Sequence, residues 1–350
     1  MKALLSLSLV HRYLTGRLLR FVDEQGISGL LASMGSFTLK DAASVLQREL
    51  GYVLNDKVRA RMVKVLIDFM YECGHAAKED GRYCWNGGNG AVDSLSTDEN
   101  AIAIEVFKGQ VGFFERCLLH ADAFLRGGSP LYSFDSEATH IWEEFLGNAE
   151  FNFARSLLAQ VMLSGKGENA HVLDLCYGPG FDILQIQEHF AAVELTALDF
   201  KDIFRDRALS RIPNPEAVHW VDSDKWGGFG TSLPFPADVF DVVFFACADP
   251  YIAEELREFV YRDIFRVIRP GGSLNILSHS YPDPEMRFVE DIWVRRGTLC
   301  HDFAESVCEG WHGFYGAEES FSLFESIGYK AATVMMNSSI WSLDKPWGKP

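Results

Sequence analysis

The fold is decided by one stretch near the middle of the chain, His171-Val172-Leu173-Asp174-Leu175-Cys176-Tyr177-Gly178-Pro179-Gly180-Phe181-Asp182. Its apolar residues before Cys176 suit a strand that is buried on both faces. Gly178 and Gly180 allow a sharp turn and a close approach of the backbone to a ligand, because no Cβ is in the way. The pattern predicts a strand, a glycine turn and a helix, which is typical of nucleotide-binding loops and also of plain packing.

Four more predicted strands follow this turn, at residues 194–200, 218–224, 240–247 and 273–277. Helical stretches separate them, so the chain reads as βαβ units with a Rossmann-like, mostly parallel sheet. Lys330 to Met336 and Ser339 to Leu343 predict two closing antiparallel strands. Asp199 ends the second strand about 20 residues after Gly180, the spacing expected of a carboxylate that binds a ribose. Ligands of such sheets bind at the carboxyl ends of the strands.

These landmarks resemble the class I S-adenosylmethionine-dependent methyltransferases. Asp174, Cys176, Gly178 and Gly180 occupy the places of that family's acid-x-Gly-x-Gly-x-Gly motif, with Cys176 where the first glycine is common. A dinucleotide oxidoreductase usually has a third glycine where this chain has Phe181. The resemblance implies S-adenosylmethionine as the cofactor. It also implies an acid on the adenine side of the cofactor, for which Asp224 is the first candidate and Asp222 a less favoured one. The implied cofactor-binding residues are Asp174, Tyr177, Gly178, Gly180, Asp199, Phe200, Asp224 and Cys247.

The first third of the chain has a different pattern. Thr38 to Asp41 is a capping-box sequence, residues 58–69 form an apolar-striped helix, and Asp80-Gly81 is a hairpin signal. Helices followed by such a ribbon predict an α-rich winged helix. The formal net charge of −17 opposes binding to nucleic acid, which depends on Lys and Arg that neutralise phosphates. The region is similar to the dimerisation domain of two-domain, plant-type small-molecule methyltransferases.

Three domains are therefore expected: a winged-helix-like dimerisation domain at 1–110, a helical linker that roofs the substrate pocket at 111–165, and a catalytic domain at 166–350. The apolar stretch Leu4 to Val22 has no evident partner in a winged helix, which predicts a homodimer. No apolar run reaches the ~18 residues of a membrane span, so a cytoplasmic protein without a membrane partner is expected. Seven cysteines without CxxC spacing indicate reduced thiols and no metal site.

The residues at the expected methyl-acceptor site differ from those of the plant-type family. That family uses a histidine base with an acidic partner, and these positions fall on Pro250 and Ser278 here. A methyl acceptor with a free lone pair needs no base, so thioether sulfur or a carboxylate is the preferred acceptor. The methylthiohydroxybutyrate S-methyltransferases of dimethylsulfoniopropionate synthesis are similar in plan and fit such a site.

Two alternatives stay open. The acceptor could be a hydroxyl with His279 as its base, and His312 is a second catalytic candidate. A protein on the same fold that binds the cofactor without methylating is an alternative of another class. For each aromatic candidate for the substrate pocket, plain core packing is the more frequent explanation. The candidate substrate-binding residues are Trp142, Phe153, Asp249, Tyr251, Tyr281 and Trp311.

Overall fold

The computed structural model describes residues 7–87, 95–133, 139–163, 169–190, 192–279, 292–336 and 338–348. Its helices are α1 (Leu7–Glu24), α2 (Ile27–Met34), α3 (Leu39–Leu50), α4 (Lys57–Glu72), α5 (Thr97–Val106), α6 (Lys108–Leu125), α7 (Thr139–Leu146), α8 (Ala149–Leu163), α9 (Phe181–His189), α10 (Arg205–Arg211), α11 (Arg257–Val267), α12 (Ile292–Glu305) and α13 (Ala317–Ile327). Its strands are β1 (Ser36–Phe37), β2 (Ala76–Glu79), β3 (Arg82–Trp85), β4 (His171–Leu175), β5 (Glu194–Leu198), β6 (Val218–Trp220), β7 (Phe240–Ala246), β8 (Ile268–Leu277), β9 (Lys330–Met335) and β10 (Ile340–Asp344).

The chain divides into two compact units. The first contains Met1–Ser133 and Tyr281–Gly313, and the second contains Phe134–Ser280 and Phe314–Pro350. Each unit is therefore discontinuous in sequence. No helix in the described part of the chain combines the length and the apolar character that a membrane span requires.

The second unit is built on a seven-stranded sheet with the order β6-β5-β4-β7-β8-β10-β9. The five strands β6, β5, β4, β7 and β8 run parallel to one another, whereas β10 runs antiparallel to both β8 and β9. This is the mostly parallel α/β sheet with an antiparallel end that the sequence predicts. The chain order reverses at β4, whose neighbours are β5 and β7. Crevices at such reversal points bind ligands in open α/β sheets.

The core of this sheet is formed by the apolar runs that predicted the strands. Val172 of β4 and Phe244 of β7 are fully buried, and they pack in one cluster with Leu158 of α8 and Ile183 of α9. Burial on both faces explains why these strands are continuously apolar instead of alternating. The helix pair α8 and α9 thus covers the sheet beside the glycine turn.

The first unit contains helices and a small sheet with the order β1-β3-β2. Thr38 caps α3 through a complete capping box with Asp41, as the sequence predicts. Ala76 pairs with Trp85 and Glu79 with Arg82, so the predicted hairpin at Asp80 and Gly81 is confirmed. Asp80 and Gly81 both have positive φ, the conformation that this tight turn requires.

The apolar face of α1 is covered inside this unit. Val10, Leu14 and Leu18 are fully buried, and α1 packs against α12, α5 and α6. The helix that covers α1 most extensively, α12, is supplied from far along the sequence. The prediction of a homodimer began from an unpartnered α1, so it loses that motivation and stays a prediction.

Buried polar groups hold α12 in place. The Arg61 guanidinium pairs with both carboxylate oxygens of Asp302, and Trp311 Nε1 donates to the same carboxylate at 3.0 Å. His301 contacts Gln110 at 2.8 Å, and burial lowers its pKa to about 4, so its ring is neutral near pH 7. The carboxylate of Asp302 is thus fully matched by a cation and an indole N–H.

Candidate cofactor site

A cavity that opens to solvent lies at the carboxyl ends of β4, β5 and β7, where the order of the sheet reverses. One part of its wall follows β4 and β5 and contains Cys176, Gly178, Asp199, Phe200, Lys201, Ile203 and Phe204. The rest of the wall contains Trp142, Leu146, Phe229, Ala246, Cys247, Ala248 and Tyr251.

The two glycines of the turn have different functions. A Cβ built on Gly178, whose φ is +47°, would meet only the Cys176 carbonyl oxygen at 4.0 Å and would point into open space. A Cβ on Gly180, whose φ is +80°, would lie 2.9 Å from the Cβ of Ala208 in α10. Gly178 therefore leaves room for a ligand, whereas Gly180 permits close packing of the turn against a helix.

Asp199 lines the cavity and is held by backbone amides. The Gly178 N–H donates to one of its carboxylate oxygens at 3.0 Å, and the Phe200 N–H donates to the other at 2.8 Å. Burial nevertheless raises the pKa of Asp199 to about 6, because desolvation outweighs these hydrogen bonds. Its carboxylate lies on the wall at the end of β5, where a ribose acid is expected.

Asp174 is a buried carboxylate without a partner among the described residues. Its side chain lies in β4, is 1% exposed, and neither of its oxygens accepts a hydrogen bond. Burial raises its pKa well above the ordinary value, and the nearby carboxylates of Asp182 and Asp199 raise it further. An ionised carboxylate without hydrogen bonds is costly to bury, so the folded protein favours the protonated form of Asp174 more than water does.

Arg155 joins three parts of the structure around this cavity. Its guanidinium donates to Asp182 at 3.1 Å, to the Leu146 carbonyl, and to the Cys247 sulfur at 3.8 Å. The side chain is 2% exposed and lies over the ring of Phe181. Leu146 and Cys247 line the cavity, so Arg155 fixes its wall to the start of α9. Arg155 is not predicted as a site residue from the sequence, because an arginine in a helix is usually a solvated side chain.

Aromatic residues shape both sides of the cavity. Trp142 and Tyr251 are two of the candidates predicted for the substrate pocket. Their rings meet edge to face, with centroids 6.2 Å apart. Phe229 contacts the rings of Phe200 and Trp226, and its place on the wall was not predicted. The preceding Gly227-Gly228 pair was the signal that could have marked this loop, since Gly228 has a φ of +88°.

Several candidates are not part of the cavity wall. Tyr177 is buried in the core, where its ring packs edge to face on Trp220 at 5.1 Å. Asp224 is exposed, and so is Phe153 on α8. Asp249 is buried and accepts hydrogen bonds from Arg257 at 3.3 Å and from the Tyr261 hydroxyl, which is a structural role. The binding roles predicted for these four residues stay predictions, and the positions of the four side chains do not support them.

The catalytic candidates are also separate from the wall. His279 follows β8, its Nδ1 lies 3.2 Å from the Ser339 hydroxyl, and its ring contacts Phe151 and Phe314. Trp311 and His312 belong to the first unit, where Trp311 is buried against Asp302 and His312 is exposed. The remaining substrate candidate, Tyr281, lies outside the described residues.

The residues present fit S-adenosylmethionine on two independent points. The open space beside Gly178 accepts a group that approaches the backbone closely, and the paired oxygens of Asp199 suit the two hydroxyls of a ribose.

Comparisons with known proteins agree with this geometry. Residues 172–272 match the family model described as a methyltransferase domain. The demethylmenaquinone methyltransferase of Chlamydia trachomatis serovar L2 is 29% identical over 121 residues, which cover 35% of this chain and 49% of that protein. The chain thus spans about half the length of the curated relatives that it matches.

Two solved structures resemble the chain over nearly its full length. The CurJ carbon methyltransferase has a TM-score of 0.64 at 15% identity and covers 95% of this chain and 92% of its own. Human N-acetylserotonin methyltransferase, solved in complex with the cofactor, has a TM-score of 0.51 at 16% identity and covers 96% and 95%. At this identity the likeness establishes the fold. Residues 172–272, which match a methyltransferase domain, include the glycine turn and most of the residues that line the cavity.

Proposed function

We propose that the protein transfers the methyl group of S-adenosylmethionine to a small molecule whose reacting atom carries a free lone pair. Thioether sulfur, as in 4-methylthio-2-hydroxybutyrate on the way to dimethylsulfoniopropionate, is the first choice, and a carboxylate is the second. One observation carries the proposal: no histidine is found among the described residues that line the cavity. The family's histidine position is Pro250, which is buried in a short turn. An acceptor that loses no proton needs no base there.

The described residues suffice for such a transfer. When bound, the cofactor supplies an already activated methyl group. Asp199 accepts hydrogen bonds from the ribose and fixes the position of the cofactor, while Gly178 leaves room for it. Trp142 and Tyr251 form an apolar wall that excludes water and orients the acceptor. Their ring faces attract a sulfonium product, which favours sulfur as the acceptor atom.

A hydroxyl acceptor with His279 as its base is the second candidate. His279 lies after β8, at the carboxyl edge of the sheet, and the Ser339 hydroxyl orients its Nδ1. A histidine whose second nitrogen is held by a neighbour is the usual arrangement of a general base. A cofactor-binding protein that transfers no methyl group is the alternative of another class.

The proposal is tested by S-adenosylhomocysteine release with a panel of thioethers, thiols, carboxylates and phenols. We expect release with a thioether or a carboxylate. At saturating acceptor, turnover should stay nearly flat between about pH 6 and 9, because no proton leaves in the transition state.

The opposite result is equally well defined. A turnover that rises about tenfold per pH unit towards a pKa near 7, and that His279→Ala lowers by about 10²-fold or more, establishes a hydroxyl acceptor with His279 as base. Absence of S-adenosylhomocysteine release with every acceptor favours the non-methylating alternative. His312→Ala should leave turnover at saturating acceptor nearly unchanged.

We also propose the domain plan that the sequence predicts for the whole chain: a winged-helix-type domain at 1–110, a helical linker at 111–165 and a catalytic domain at 166–350. The three-stranded sheet β1-β3-β2 beside α3 and α4 supports the winged-helix type. Light scattering on the full chain distinguishes a homodimer from a monomer.

A further inference from the structure

Helix α7 supplies part of the cavity wall. Trp142 and Leu146 lie one turn apart on this helix, so both reach the cavity from the same face. Trp142 is 6% exposed, and its ring contacts Phe145 of the same helix as well as Tyr251 on the wall. A helix of eight residues has little stability of its own, so the place of α7 on the wall depends on the contacts that its side chains make.

One such contact joins α7 to α10. The Glu143 carboxylate binds the guanidinium groups of Arg207 and Arg211, which lie one turn apart on α10. The side chains of Glu143 and Arg211 are 24% and 15% exposed, so solvent and salt screen this pair less than a surface pair. Partial burial favours the neutral acid, but the two arginines outweigh it and hold the pKa of Glu143 below its ordinary value. Glu143 is therefore ionised at neutral pH.

Helix α10 is in turn fixed to the glycine turn. Ala208 of α10 lies so close to Gly180 that a Cβ on this glycine would be 2.9 Å from the Ala208 Cβ. The Arg211 guanidinium also covers the ring of Phe181, the first residue of α9, at 3.9 Å from the ring centroid. At the end of α7, a Cβ on Gly147 would lie 2.6 Å from the same ring. The ion pair thus ties α7 to the part of the structure that forms the glycine turn.

We infer that Glu143 is a positioning residue: through Arg207 and Arg211 it holds Trp142 on the cavity wall, and it thereby slows the departure of the bound cofactor and of its product. The inference rests on the proposed function, in which the cavity holds S-adenosylmethionine. The cavity opens to solvent, and a molecule that fills it lies against Trp142. When the ion pair is broken, α7 moves more freely, water enters beside Trp142, and the bound molecule leaves sooner.

The dissociation rate of S-adenosylhomocysteine tests the inference, measured by surface plasmon resonance on the immobilised full chain. In Glu143→Gln, which keeps the shape of the side chain and removes its charge, we expect dissociation about tenfold faster and association changed by less than about threefold. Glu143→Asp, which keeps the charge, should recover part of the slow dissociation. A loss of stability alone would lower the fraction of folded protein without changing the rate at which the folded protein releases its ligand.

Salt provides a second readout on the unaltered protein. Raising NaCl from about 0.05 M to about 0.5 M should speed dissociation from the wild type by about threefold or more, because salt screens the ion pair. Dissociation from Glu143→Gln should stay nearly the same over this range, since its side chain carries no charge.

Glu258→Gln is the matched control. Glu258 pairs with Arg262 within α11 at 2.6 Å, and neither is among the described residues that line the cavity, so dissociation should be as slow as from the wild type. Equal dissociation rates of folded Glu143→Gln and the wild type overturn the inference. If that variant does not fold, a wild-type dissociation rate that does not respond to salt overturns it. Wild-type protein that binds neither S-adenosylmethionine nor S-adenosylhomocysteine refutes the cofactor site, and the inference with it.

Discussion

Two buried carboxyl groups, one in each unit, differ in the hydrogen bonds that they receive. Asp302 in the first unit is fully buried and is matched by Arg61 and by the indole N–H of Trp311. Asp174 in the second unit is equally buried and has no hydrogen-bond partner among the described residues. Because an unpaired buried charge is costly, burial raises the pKa of Asp174 well above its ordinary value.

The largest expected effect is on the matched pair. Arg61→Met removes the guanidinium and leaves the carboxylate of Asp302 buried without its cation. Loss of one partner of a buried pair typically costs about 3–5 kcal/mol, so the free energy of unfolding should fall by about this amount in urea denaturation. Arg48→Met is the control, because Arg48 is largely exposed and its pair with Glu49 should contribute less than about 1 kcal/mol. Equal stability of Arg61→Met and wild type would contradict the assigned role.

A smaller effect is expected on the affinity of the cavity for S-adenosylmethionine. Gly178→Val places a side chain in the open space beside the turn, so S-adenosylmethionine should bind about 100-fold or more weakly in calorimetry. The substitution also strains a backbone with positive φ. Gly81→Val controls for that strain, since Gly81 has a φ of +75° and open space in a hairpin of the other unit. Normal affinity in Gly178→Val would show that the cofactor does not approach this turn.

The sequence predicted the sheet well because several independent signals coincided there. The glycine turn, the apolar runs and the spacing to Asp199 each indicate alternating strands and helices, and β4 to β7 begin within one residue of the predicted positions. The main difference is at β8, which is predicted at residues 273–277 and begins at Ile268. A register shift after Phe240 absorbs these extra residues.

The partners of particular side chains could not be predicted, because sequence periodicity shows that a face is buried without showing what covers it. Helix α1 looked unpartnered since α12, which covers it, lies far away in the sequence. Asp249 looked like a substrate ligand, but Arg257 and Tyr261 bind it. Arg155 gave no signal at all, since its contacts with Asp182 and Cys247 arise only in the folded chain.

The smallest expected effect is a pH dependence of cofactor binding. The ionised carboxylate of Asp199 accepts the ribose hydroxyls, and burial raises its pKa to about 6. Affinity for S-adenosylmethionine should therefore be full above pH 6 and decline as the pH falls through 6, by at most about tenfold per pH unit. The raised pKa also means that ionisation of Asp199 lowers the stability of the ligand-free protein as the pH rises from about 4 to 6.

Calorimetric titration of S-adenosylmethionine into wild-type protein and Asp199→Ala, at pH 7.5 and at pH 5.5, tests the central claim that this cavity holds the cofactor. We expect the wild type to bind at pH 7.5 and to bind more weakly at pH 5.5. Asp199→Ala should bind at least about tenfold more weakly than the wild type at pH 7.5, and it should lack the loss of affinity that protonation of Asp199 causes in the wild type at pH 5.5. Asp206→Ala, a change at an exposed residue in the first turn of α10, should bind as the wild type does. Unchanged affinity in Asp199→Ala, with the fold intact, would contradict the assignment of this cavity as the cofactor site.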